Sequence, residues 1–108
     1  MASFNDREKT FERKFEHDQE LRFKVTARRN RLLGLWAAKE LGMPDSEHDA
    51  YAKSVVMADF DKPGDSDVLE KVLKDFADKG IAMTEHRLRG HMDDLMQTAR
   101  QQVMNEVA

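Results

Sequence analysis

The chain has 108 residues, 40% hydrophobic and 36% charged, and its 18 Lys and Arg against 21 Asp and Glu give a formal net charge of -3. That length allows one modest core in a single domain, and the acidic balance argues against non-specific nucleic-acid binding, which needs concentrated positive charge. Cysteine is absent, so disulfides and thiolate metal sites are excluded.

Residues 1–18, MASFNDREKTFERKFEHD, carry acids from Asp6 onward and no apolar run, so they read as neither a signal nor a transit peptide. Besides Met1, the large apolar residues are Phe4, Phe11 and Phe15. A helix would gather all of them on one face. The same helix would align Glu8, Glu12, Glu16 and Glu20 at i, i+4 spacing, where each like-charge pair costs roughly 0.2 to 0.5 kcal/mol. Lys9 beside Glu12 and Arg13 beside Glu16 offset part of that cost, so the isolated segment is expected to be a fraying, partial helix.

Glu20 to Leu41 predicts the first long helix, with Leu21, Val25, Leu32 and Trp36 in one arc and Leu33 and Leu35 flanking it. Gly42 is the expected left-handed cap, with Pro44 just beyond. A continuous helix would turn the phenylalanine face of residues 1–18 about 70° from this arc. The phenylalanines are therefore expected to find cover outside the chain's own core. The longest apolar run, Leu32 to Ala38 broken by Gly34, falls far short of the roughly 20 residues a bilayer requires.

A second helix is expected from Ser46, capped by its hydroxyl with Asp49 as the acidic partner, and with Tyr51, Ala52, Val55, Val56 and Phe60 on its apolar face. It ends before the Pro63-Gly64 turn. Asp65 or Asp67 is expected to cap the third, which buries Val68, Leu69, Val72, Leu73 and Phe76 and stops at Gly80. Thr84 caps the fourth, whose apolar positions are Leu88, Met92, Leu95, Met96, Ala99 and Val103. No stretch alternates as a strand does. The expected fold is all-α: a four-helix antiparallel bundle over 19–108, preceded by a mobile, partly disordered segment over 1–18.

Chemistry-bearing residues are sparse. His17, His48, His86 and His91 lack the i, i+4 pairing of a helical zinc site. The aspartates Asp59, Asp61, Asp65 and Asp67 lack the ligand order of an EF-hand and read as turn and cap residues. Met83, Met92, Met96 and Met104 read as packing, with an adaptable partner groove as the alternative. Arg28, Arg29 and Arg31 read as a solvated basic face whose stems cover apolar surface. The alternative is that they hold a phosphate or an acidic partner. No nucleophile elbow, P-loop, dinucleotide fingerprint or zincin motif is present, which argues against an enzyme.

The stretches SFNDREKTFERKFEHDQELRFK, ARRNRLLGLWAAKELG and YAKSVVMADFDKPGDSDVLEKV resemble the zeta subunit family, the small inhibitor subunits of the alphaproteobacterial F-type ATP synthase. The likeness covers nearly the whole chain and is weaker after Gly80. It implies a helical body with an N-terminal inhibitory segment that becomes helical on entering a catalytic interface between the alpha and beta subunits of the soluble head, next to the rotor gamma subunit. There it would block rotation in the hydrolysis direction, and synthesis would expel it. On this reading Phe4, Asp6, Arg7, Phe11, Lys14 and Phe15 are the partner-binding residues, with the phenylalanines as anchors and with Arg7 and Lys14 flanking them opposite the acids, a polarity that would fix orientation. His17 is a candidate pH-sensitive neighbour.

The resemblance also implies a protein that is cytoplasmic, peripheral on the membrane-bound synthase and monomeric when free. It would bind no nucleic acid, enter no membrane and require no cofactor. Weak binding of ATP or ADP accompanies the family, and the arginine cluster is where a phosphate would be sought. The competing reading is a helical adaptor whose partner docks on the folded bundle, at the methionines of the fourth helix or the arginines of the first.

Overall fold

A computed structural model describes residues 19–59 and 64–107. They form four helices: α1 (Gln19–Glu40), α2 (Asp45–Ala58), α3 (Ser66–Asp78) and α4 (Glu85–Val107). Among the described residues there is no strand. The bundle closes as a ring in chain order, with α1 packed most extensively on both α2 and α4. Contacts fix the directions. Arg28 reaches Gln102 and Glu106 while Trp36 meets His91, so α1 and α4 run antiparallel. Tyr51 of α2 donates to Asp75 of α3.

Glycines stop two of the helices. At the end of α1, Gly42 takes a φ of 75°, and Met43 N–H donates to Ala38 O while Gly42 N–H donates to Lys39 O. This closes the last turn and satisfies carbonyls that the helix leaves open. Gly80, at φ 73°, does the same for α3 through Ile81 and Phe76.

The expected caps divide. Thr84 Oγ1 accepts from Arg87 N–H at 3.1 Å, as its position predicts. Ser46 does not cap α2. The helix already includes Asp45, the extended Pro44 stands at the capping position, and Pro44 O accepts from Glu47 N–H. Asp65 does occupy the capping position of α3 but makes no cap bond, because its carboxylate is held by Arg29.

The core has two parts. The larger gathers Leu33, Ala37 and Ala38 of α1 with Val55, Val72, Phe76, Leu88 and Met92, so all four helices contribute. Trp36 is only partly buried at its edge, tilted against Phe76 and His91 at ring-centroid distances of 5.9 and 4.2 Å. The smaller part joins α1 and α4 alone, through Val25, Ala99 and Val103, with Leu21, Leu32, Met96 and Met104 around them.

α1 thus has two working faces, where the spacing of its large residues indicates one. The arc of Leu21, Val25, Leu32 and Trp36 serves α4 and the rim of the main core. A second face is built from small residues and meets α2. At Gly34 the helices approach so closely that an added Cβ would lie 2.5 Å from Ala52 Cα. No side chain fits there without moving backbone.

Candidate functional site

The three arginines of α1 do different work. Arg29 is 1% exposed and pairs with Asp65 at the start of α3, while its Nε donates to Asn30 Oδ1 at 2.8 Å. It is an internal tie between α1 and the α2–α3 turn, so the expectation of a solvated face fails at this position. A buried guanidinium is tolerated because the carboxylate and the amide supply acceptors on fixed sides of its fork. The same engagement withdraws Arg29 from any external phosphate.

Asn30 is fully buried beside it, and Asp59 lies close by. Burial raises the Asp59 carboxyl above the ordinary aspartate range, Arg29 pulls it down, and Asp65 pushes it up again. Asp65 therefore ties the start of α3 to α1, Asp59 stands beside that tie, and Asp67 sits in the first turn of α3. Asp61 lies outside the described residues.

Arg28 and Arg31 face outward. Arg28 donates to Gln102 and Glu106 of α4, and Lys24 approaches Glu106 at 3.7 Å. The hydrogen bond from Arg28 lowers the Glu106 carboxyl below its usual range. Arg31 bonds Asp49 of α2 at 3.1 Å. Together with Lys53 of α2 these cations line an open groove of about 600 Å³ between α1 and α2. Its apolar wall is Ala27 and Val56, and Asp49 is its one lining acid.

Lys24, Arg28 and Arg31 stand at helical spacing, a stripe visible in the sequence. Lys53 and Val56, from another helix, join it only through the fold.

The remaining candidates are structural. His48 Nε2 lies 2.8 Å from Met43 O in the α1–α2 turn, His91 stacks on Trp36, and His86 is exposed. Among the described residues no group of His, Cys, Asp or Glu is arranged to hold a metal ion. Met92 is a core residue, and Met83, Met96 and Met104 pack at its edges. Tyr51 donates to Asp75 Oδ2 at 2.7 Å, and burial, then Asp75, raises its hydroxyl pKa far above the ordinary phenol value. That bond ties α2 to α3. Phe4, Asp6, Arg7, Phe11, Lys14, Phe15 and His17 lie outside the described residues.

The helical body engages its buried charges between its own helices and carries a basic groove between α1 and α2. Comparison with known proteins goes further. A family model described as ATPase inhibitor subunit zeta matches residues 1–102. A protein solved by solution NMR is 44% identical, with a TM-score of 0.70, over 80% of this chain and 98% of that one. No curated protein matches. The chain belongs to the ATPase inhibitor subunit zeta family. It is a regulatory protein and not an enzyme, an inhibitor that binds the ATP synthase. No helix among the described residues is long and apolar enough to cross a membrane.

Proposed function

We propose that residues 1–18 are the inhibitory element and that they act by entering, as a helix, a catalytic interface between the alpha and beta subunits of the synthase's soluble head, beside the gamma rotor. The observation that carries this is the spacing of Phe4, Phe11 and Phe15, which a helix would gather on one face, within a segment that the family match includes from residue 1. Docking covers the rings and supplies the glutamate row with cations, and these gains offset the ordering of the segment at the moment of binding. Arg7 and Lys14 flank the rings on the side opposite the acids, a polarity that fixes which way the helix lies. The body, from Gln19, is the rigid base from which the segment is presented. The free protein is a monomer that becomes peripheral to the membrane by binding the enzyme.

The wedge opposes rotation in the hydrolysis direction, and synthesis expels it. Changing Phe4, Phe11 and Phe15 together to serine in the intact chain is expected to raise the half-inhibitory concentration for ATP hydrolysis more than about tenfold, or about 1.4 kcal/mol. Circular dichroism of the helices should not change. Undiminished inhibition by that variant would refute the proposal and favour docking through the bundle alone.

A further inference from the structure

The α1–α2 groove has no part in the proposed wedge, and its composition is specific. Four cations, Lys24, Arg28, Arg31 and Lys53, line it with Asp49 as the one lining acid, while Glu106 of α4 pairs with Lys24 and Arg28 from outside the groove, so the positive charge left to a partner is that of Arg31 and above all Lys53. Arg31 and Asp49 are both well exposed, with side-chain exposures of 51% and 84%, so that pair is screened by water and easily exchanged. Lys53 is exposed and makes no ion pair among the described residues. The wall between the cations is aliphatic, from Ala27 and Val56. An aliphatic strip edged by positive charge matches a protein segment that presents apolar side chains beside carboxylates.

Position indicates where that segment comes from. Lys24 lies five residues after Gln19, the first described residue, so the groove opens within roughly 10 Å of Gln19, at about 1.5 Å per helical residue. A partner that holds residues 1–18 up to their junction with Gln19 is brought within reach of this groove.

We propose that the groove is a second contact with the synthase, occupied by an acidic segment of the enzyme head once the N-terminal segment is inserted. This rests on the proposed function. Two linked contacts bind as one, with the second made at the high effective concentration set by the first. Rim charges of this kind act mainly on association and are weakened by salt.

The test uses the full chain and inhibition of ATP hydrolysis by the cognate enzyme. Lys53→Glu and Arg31→Gln lie on the exposed rim, and Lys74→Glu, on an exposed site of α3, is the control. At low salt, Lys53→Glu is expected to raise the half-inhibitory concentration about threefold or more and Arg31→Gln about twofold, with Lys74→Glu unchanged. Near 1 M salt, where the Debye length is about 3 Å, the three should converge on the parent.

Equal inhibition by the folded Lys53→Glu variant at low salt overturns the proposal, as does a loss equalled by Lys74→Glu. Stronger inhibition by Lys53→Glu also overturns it, because the groove would then be holding the chain's own N-terminal segment back. A change in ATP binding without a change in inhibition assigns the groove to a nucleotide and overturns it too. Failure of the parent chain to inhibit would instead strike the proposed function itself.

Discussion

Around Phe76 all four helices converge, whereas around Val103 only α1 and α4 meet. The first region is closed by apolar contacts and by ties such as Arg29 to Asp65 and Tyr51 to Asp75. The second is edged by exposed pairs, Arg28 and Lys24 with Glu106, that water and salt screen. The difference places local stability unevenly: the end from which residues 1–18 depart should open at lower cost than the middle of the body. Under the proposed function, such a gradient lets the body stay folded while its leading end adapts to the enzyme.

The largest effect that would sharpen the comparison is at Phe76, where truncation to alanine is expected to lower global stability by about 3 to 5 kcal/mol in denaturant melts. Val103→Ala should cost about 1 to 2 kcal/mol, and native-state hydrogen exchange should show the loss concentrated in the last turns of α4 and the first of α1. Equal protection of Val72 and Val103 in the parent would break the gradient. Gly34→Ala falls between those two truncations. Its Cβ would meet the Ala52 backbone, so a cost of about 1 to 3 kcal/mol is expected despite alanine's better helix propensity.

Acid should separate the two regions by sign. The raised folded-state pKa of Asp59 means that its carboxylate costs nothing at pH well below the unfolded value near 3.8 and opposes folding as pH rises through the folded value. Asp59→Asn should therefore raise Tm at pH 7, with the gain fading toward pH 4. Glu106 is lowered by Arg28, so its support is present above the unfolded value near 4.5 and is lost as pH falls through the folded one. Glu106→Gln should lower protection of the α4 end at neutral pH and have no effect in strong acid. Thermal melts and exchange across that range check both signs. The smallest expected change is a gain at Gly90, in mid-helix with open space where a Cβ would stand. Alanine there should add about 0.5 to 1 kcal/mol.

Helical periodicity and the glycine stops made the four helices and most of the core legible in the sequence. Large residues such as Leu88 and Phe76 reveal a buried face by their spacing. Small ones do not: Gly34 interrupts the apolar run on paper but is the point of closest helix contact, because the signal there is a missing side chain. Arg29 was hidden for a related reason. In a run of three arginines nothing local marks the one that turns inward, and its partner Asp65 lies 36 residues away. Of the basic groove, the sequence singled out Arg28 and Arg31; Lys24 shares their helical spacing but went unmarked, and Lys53 needed the α1–α2 packing.

Under the proposed function the body folds alone and the segment before it inhibits. A chain of residues 19–108 compared with the full chain, in helical circular dichroism, thermal melting and inhibition of ATP hydrolysis, tests it most directly. The account predicts matching spectra and melts with inhibition lost. Inhibition kept by the shorter chain, or a shorter chain that no longer folds, would contradict it.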